Sequence, residues 1–279
     1  MAQDPRLAAY LTRVGFTGTA LPDLPTLTRI QHGHMLNIPY ENLDVQLGRT
    51  LGFDIDAQLA KLVEQRRGGW CYEMNGVFGW ALTQIGFKVT RLAGAVARAI
   101  LGDAQIGNHL VLRVDLDQPY LADVGFGDCP LAPVPLRNHA FTHGFLDMRM
   151  EDLGGHWWRL HSHVRGSVPS FDFSLDEALT RELAPSCSRL QTEPDSPFVQ
   201  NLVCMRHAPG RLLQLRGKTL SVLRDGHTDR RELATAEELC GVLRDLFGLD
   251  VPVVHEIWPK IEARHRENLE RQQARLTEN

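Results

Sequence analysis

The sequence has no apolar run approaching the roughly eighteen residues that a membrane span needs, and its opening, MAQDPRLAAYLTRVGF, lacks a cationic segment followed by an apolar one. These absences predict a soluble, cytoplasmic protein with no membrane partner. Charge of one sign is also lacking: 30 Lys and Arg stand against 34 Asp and Glu, a net of -4, so nothing electrostatic points to nucleic acid. Cysteine is sparse. Five are scattered at 71, 129, 187, 204 and 240 with no CxxC pair, which excludes a disulfide framework and a zinc ribbon and predicts reduced thiols and no metal. Neither a P-loop nor a Rossmann fingerprint occurs, and there is no internal repeat or low-complexity tract.

What is present fits a globular chain of 279 residues, with material for one to three compact units. The most informative stretch is Arg67-Gly68-Gly69-Trp70-Cys71-Tyr72-Glu73. Behind it Met74, Val77, Phe78, Ala81, Leu82 and Ile85 recur at helical spacing up to Gly86, which predicts a buried helix with Cys71 at its N-terminus. Unpaired N–H groups and the helix dipole favour a thiolate there, hence a nucleophile. Cys71 also reads as a small buried hydrophobe.

Residues 1–86 read as helical, with an amphipathic segment at Arg6 to Val14, a helix capped by Thr26, and another capped by Asp56. Tyr40-Glu41-Asn42, after helix-breaking Pro39, reads as a turn or as part of a site, and Arg66 or Arg67 is available to pair with Glu41. Beyond Gly86 the period changes. Lys88 to Ala97, His109 to Leu116, Pro119 to Gly125, His156 to Val164 and Arg211 to Leu223 read as strands of a small antiparallel barrel or sandwich. Asp172 to Ala184 reads as an acidic helix and Pro185 to Pro197 as an interdomain linker. Thr235 opens a capping box for a helix stopped at Gly248, and 259–279 reads as a charged, solvated helix.

A cysteine nucleophile needs a base and a group to orient that base. His109 begins a strand, where a helix N-terminus can dock. Asp123 lies in an apolar stretch that pairs with the His109 strand, and a carboxylate there requires a partner. Asp128 is the rival orienting acid, though it follows two glycines like a turn residue.

Four blocks in this order, IPYENLD at 38–44, RGGWCYEMNGVF at 67–78, the His109 strand and LADVGFG at 121–127, with a weaker SPFVQNLVCMR at 196–206, resemble the arylamine N-acetyltransferases. The resemblance implies that Cys71, His109 and Asp123 form a papain- and transglutaminase-like triad. It implies an α+β fold in three parts: an N-terminal helical bundle (1–86), a central antiparallel β-barrel (87–195) and a C-terminal α/β lid (196–279). It further implies ping-pong transfer of an acetyl group from acetyl-CoA through acetyl-cysteine to aromatic amines or hydrazines, a role in xenobiotic metabolism. Phe126, between Gly125 and Gly127, is a candidate for stacking on the acceptor. Tyr40 and Tyr72, where many family members carry Phe, are further pocket candidates, and Gly127 is another. An amide synthase using another thioester on the same scaffold is the alternative. A cysteine protease fits less well because the interval from Cys71 to His109 is short, and a binding module with an inert Cys71 is the non-enzymatic reading. Pairing as a homodimer is left open.

Overall fold

Helix ends set the geometry of the first part of the chain. In the computed structural model, which describes residues 4–277, α1 (Pro5–Arg13) is capped by Asp4 and α2 (Leu24–Asn37) by Asp23, whose carboxylate accepts the Thr26 N–H. Thr26 is thus inside the helix and not its cap, because Pro25 suits a first turn whose N–H groups are unpaired anyway. A two-residue strand β1 (Tyr40–Glu41) and a short α3 (Leu43–Gln46) follow. Then α4 (Ile55–Leu59), capped by Asp54 and not Asp56, widens into one π turn over Ala60–Glu64.

α5 (Cys71–Ile85) is the axle of this part. Its apolar stripe joins Leu7, Tyr10, Leu27 and Ile30 in one buried cluster, each such side chain contributing about 1.5–3 kcal/mol. Gly86 ends it at φ 107°, a left-handed conformation that glycine adopts without strain. Gly79 lets α5 lie directly against Leu112 of the neighbouring sheet.

That sheet contains β2 (Lys88–Val96), β3 (His109–Asp115), β4 (Pro119–Ala122), β5 (Val134–Pro135), β6 (His139–His143), β7 (Leu146–Gly154), β8 (Trp157–His161) and β9 (Ser170–Glu177), with a short α6 (Arg98–Leu101) after β2. Its order is β5-β4-β3-β2-β9-β8-β7-β6, antiparallel throughout. It is an open sheet rather than the expected closed barrel: β5 and β6 are its edges, with no ladder between them among the described residues. Pro135 in β5 has no N–H to extend the ladder. β4 ends at Ala122, so Asp123 follows the strand instead of lying within it.

The acidic stretch after Ser170 is strand β9 and not the start of a helix. Phe171, Phe173 and Leu175 alternate on its inner face, and Asp172 is held by Arg159 at 2.6 Å and Arg98 at 3.2 Å. α7 (Thr180–Thr192) then runs through Pro185, so the Ser/Pro-rich stretch is largely helix and not an extended linker. Its Leu183 and Cys187 are buried in one cluster with Cys71 and Tyr72.

After α8 (Pro197–Gln200), strands β10 (Val203–Ala208), β11 (Arg211–Arg216), β12 (Thr219–Arg224) and β13 (His227–Glu232) form a second antiparallel sheet. β1 completes it, Tyr40 pairing with Met205 and Glu41 with Cys204. The first 86 residues are therefore not wholly helical, and they supply an edge strand to a sheet formed by the end of the chain. α9 (Ala236–Val242), capped by the Thr235 hydroxyl, and α10 (Trp258–Thr277) cover this sheet, with Trp258 and Ile261 buried against Leu215 and Leu220. Among the described residues no helix is long and apolar enough to cross a membrane.

Candidate active site

The entry to α5 is built by close backbone approach. A Cβ at Gly68 would fall 2.1 Å from the Pro39 carbonyl oxygen, and one at Gly69 would fall 2.9 Å from Glu73; only glycine fits at either position. The gap they leave lets the Glu41 N–H donate to the Gly69 carbonyl at 2.9 Å. Arg67 clamps the same junction, its Nε and Nη2 donating to Glu41 Oε1 at 3.0 and 2.7 Å.

This pair belongs to a buried chain of charges. Arg67 also reaches Asp44 at 3.3 Å, Asp44 meets Lys61 at 2.7 Å, and Lys61 meets both oxygens of Glu73 at 2.9 Å. Burial opposes the charge on Lys61 and Arg67, but the neighbouring carboxylates hold both above their ordinary values. Glu73 is pushed up to about 7 by burial, Lys61 opposing the shift and Glu41 and Asp44 adding to it. Glu73 also accepts the Trp70 N–H at 3.3 Å, so the network holds the residue that precedes Cys71. Asp44, Lys61 and Glu73 are missed by sequence reasoning, since nothing local links 44, 61 and 73.

His109 opens β3, opposite Gly94 of β2; a Cβ on Gly94 would press within 3.0 Å of it. The imidazole is 1% exposed, its Nε2 lies 2.7 Å from Asp123 Oδ2, and Phe126 and Phe171 meet it edge-on at 5.4 and 5.1 Å. Burial works against the Asp123 carboxylate, yet His109, Asn75 and the Gly125 N–H together keep its pKa below the ordinary range. Asn75 is the organiser here. Its Nδ2 donates to Asp123 Oδ1 and to the Leu110 carbonyl, both at 2.6 Å, and its Oδ1 accepts the Val124 N–H at 3.0 Å. It lies four residues after Cys71, on the same helix face, and that spacing is the one signal by which the sequence exposes it.

Cys71 is 3% exposed, with its Sγ 4.0 Å from the Asn108 carbonyl oxygen. Burial pushes its thiol well above the usual range, against the pull of backbone N–H groups of Leu110 and Tyr72. This is opposite to the shift expected from a helix N-terminus alone: desolvation outweighs the dipole, so a thiolate at this position requires an adjacent cation.

Cys71 and His109 line one cavity of about 510 Å³ with Tyr40, Phe126, Val96 and Met205. Gly125 passes so close that a Cβ there would fall 2.8 Å from Cys71 Cα. Two other candidates sit elsewhere. Tyr72 is fully buried, its hydroxyl donating to the Gly107 carbonyl at 2.6 Å, and it borders a separate cavity. Gly127, at φ 63°, makes room for Met205 behind the cavity wall. Asp128 accepts the backbone N–H and the hydroxyl of Ser167 at 2.7 and 3.0 Å and is raised by burial to about 6; it anchors a loop, and His109 is paired with Asp123. No cluster of metal-ligating side chains occurs among the described residues.

A buried cysteine and a carboxylate-bound histidine thus line one cavity. A family model described as N-acetyltransferase matches residues 23–256. The chain is 35% identical over 259 residues to the arylamine N-acetyltransferase of Mycolicibacterium smegmatis, covering 90% of this chain and 94% of that protein. Among solved structures, the arylamine N-acetyltransferase of Salmonella typhimurium is similar with a TM-score of 0.84 at 30% identity, covering 94% of this chain and 100% of that one. The Mycobacterium marinum enzyme in complex with CoA gives 0.82 at 33% identity, covering 92% and 97%. The chain belongs to the arylamine N-acetyltransferase family and is an acyltransferase.

Proposed function

We propose that the protein transfers an acetyl group from acetyl-CoA to aromatic amines or hydrazines by a ping-pong route through acetyl-Cys71, with His109 as base and Asp123 as the group that orients it. The observation that carries this reading is the 2.7 Å contact of His109 Nε2 with Asp123 beside a cavity that Cys71 shares. Asp123 occupies Nε2, so Nδ1 is the nitrogen left to exchange a proton with the thiol. Burial makes a lone thiolate costly at Cys71, and the proton therefore moves to His109 as the sulfur attacks. The resulting imidazolium is held by the ionised Asp123.

The sulfur bonds to the thioester carbonyl carbon, backbone N–H groups at the start of α5 stabilise the oxyanion, and CoA leaves as its thiol with the proton from His109. The amine nitrogen then attacks the acetyl carbon, gives its proton to His109, and the Cys71–carbon bond breaks to regenerate the thiol. Apolar walls from Val96, Phe126, Phe198 and Met205 suit a flat aromatic acceptor. Phe198, Val203, Met205 and Arg216 all reach this cavity from the C-terminal part of the chain, which supports reading 196–279 as a lid over a site assembled from 1–86 and 87–195.

The test is intact mass after incubation with acetyl-CoA. One acetyl adduct is expected, absent in Cys71→Ala and discharged by an aromatic amine or hydrazine. No adduct with acetyl-CoA but one with a larger acyl thioester would replace this reading with an amide synthase, and an adduct surviving in Cys71→Ala would sink it.

A further inference from the structure

Four tyrosines occur in the chain, and a buried phenol ordinarily finds a hydrogen-bond partner. Tyr10 bonds to His34 Nδ1 at 2.8 Å, Tyr72 donates to the Gly107 carbonyl at 2.6 Å, and Tyr120 donates to Asp117 at 3.3 Å. Tyr40 is only 5% exposed, yet its hydroxyl has no hydrogen-bond partner among the described residues. It is not sealed away as the partnerless indole nitrogen of Trp70 is; its side chain borders the Cys71 cavity. A polar group held in this way lacks one bond that a bound molecule can supply.

Backbone bonds fix where Tyr40 stands. The Gly69 N–H donates to the Pro39 carbonyl at 3.4 Å and the Glu41 N–H donates to the Gly69 carbonyl at 2.9 Å, so Tyr40 is bracketed against Gly69, two residues before Cys71. Its ring packs in one cluster with Trp70, Cys71, Tyr72 and Met205. Tyr40 therefore reaches the cavity from the second sheet, and His109 reaches it from the first. The phenol is held well above its ordinary pKa, by burial first and then by Cys71, Cys129, Asp128 and Asp123; it is a neutral donor and not a base. Two other neutral groups on this cavity are already engaged: the Asn108 amide with Val96 and Gln105, and the Ser167 hydroxyl with Asp128.

We propose that Tyr40 is a catalytic residue whose hydroxyl donates to the oxyanion formed when Cys71 attacks an acyl carbonyl. This rests on the acyl-transfer function proposed above and adds a side-chain donor to the backbone N–H groups of α5. In the tetrahedral intermediate the carbon carries a new bond to Sγ, and the former carbonyl oxygen carries the negative charge, two bonds from the sulfur. Collapse re-forms the carbonyl, breaks the bond to the leaving sulfur and expels that sulfur with the proton held by His109. The phenol keeps its own proton throughout. Attack of the amine on acetyl-Cys71 generates an oxyanion on the same acyl carbon, so the hydroxyl acts in both halves of the reaction.

The test compares the full chain, wild type and Tyr40→Phe, a substitution that keeps the ring and removes an oxygen with no bond in the folded protein. Tm should therefore fall by less than about 2 °C; a larger fall means that the hydroxyl is bonded within the protein and overturns the proposal. Single-turnover acetylation of Cys71, by acetyl-CoA and separately by p-nitrophenyl acetate, is expected to slow at least about tenfold, the effect of losing one bond to a developing charge. The half-saturating concentration of acetyl-CoA should not change, as for a contact made only in the transition state. Alkylation of Cys71 by iodoacetamide, a substitution at saturated carbon that forms no oxyanion, should run equally in both proteins at every pH. Equal acetylation rates overturn the proposal. Slowing confined to discharge of acetyl-Cys71 by an aromatic amine also overturns it, since Tyr40 would then bind the acceptor. So does a parallel fall in alkylation, because the hydroxyl would then act through the thiol. A wild type acetylated by p-nitrophenyl acetate but not by acetyl-CoA refutes the donor assigned above and leaves the Tyr40 comparison intact; no Cys71 adduct from either donor sinks both.

Discussion

Replacing Arg67 by Met tests whether the charge chain beneath Cys71 is a structural unit. Glu41 has no exposed surface and Arg67 only 8% of its side chain, so the substitution leaves a carboxylate in a dry site with the Leu43 N–H, at 2.6 Å, as the hydrogen bond its side chain keeps. Removing one partner of a buried pair costs about 3–5 kcal/mol. For a chain of this length, where 1 kcal/mol moves the midpoint by roughly 2 °C, the expected loss in Tm is roughly 5–10 °C. Lys61 limits the damage, because it still neutralises Asp44 and Glu73. Adding Glu41→Leu should then recover more than about 1 kcal/mol, since both charges of the broken pair are gone. Thermal and urea unfolding of the wild type, the two single variants and the double variant measure this coupling. A fall in Tm below 2 °C for Arg67→Met, or a double variant additive within about 0.5 kcal/mol, would refute the reasoning.

Asn75→Ala removes one of the two donors to Asp123 Oδ1, leaving the Gly125 N–H, and takes the Asn75 partner from the Leu110 carbonyl and the Val124 N–H; a loss of about 3 kcal/mol is expected in urea unfolding, with a fall in the rate of Cys71 acetylation, and an unchanged acetylation rate would deny Asn75 its positioning role. Gly125→Ala would drive a methyl group to 2.8 Å from Cys71 Cα, so acyl transfer should fall by at least about a hundredfold, and near wild-type turnover would contradict the close approach. His34 is fully buried, held by the Tyr10 hydroxyl at 2.8 Å, and lowered by desolvation from 6.5 to about 3. A base with a depressed folded pKa contributes stability that is intact above its unfolded value and lost as pH falls below it, so between pH 7 and 5 this residue gives up about 2 kcal/mol. His34→Gln should be less stable at pH 7 yet lose about 2 kcal/mol less than the wild type on acidification; identical pH profiles would show that His34 titrates normally.

The parts of this molecule that were legible in its sequence are those fixed by local periodicity. The stripe from Met74 to Ile85 with its glycine stop defines α5, and the strands around His109 follow from short β-branched runs between turn residues. Segments where a charge or a proline obscures the period were not legible. Asp172 made β9 resemble an acidic helix although Phe171, Phe173 and Leu175 alternate beneath it, and Pro185 hid α7. The site divides in the same way. Cys71, His109 and Asp123 each stand in a motif, and so do Glu41 and Arg67, whose pairing is anticipated there; the extension of that pair through Asp44 and Lys61 to Glu73 exists only after folding brings separated positions together. The high pKa of Cys71 could not be read either, because a helix terminus is visible in sequence and its desolvation is not.

The pairing of Tyr40 with Met205 bears on the order in which the molecule is made. A ribosome delivers the N-terminal residues first, but the strand at Tyr40–Glu41 has no ladder partner until Val203–Ala208 has emerged. Glu41 is also the residue through which Arg67 and Gly69 hold the approach to Cys71. The loop closed by this pairing spans more than half of the chain, a contact of high sequence separation and therefore late and slow to form. Cys71 is translated in the first third of synthesis, and its mounting is completed only in the last.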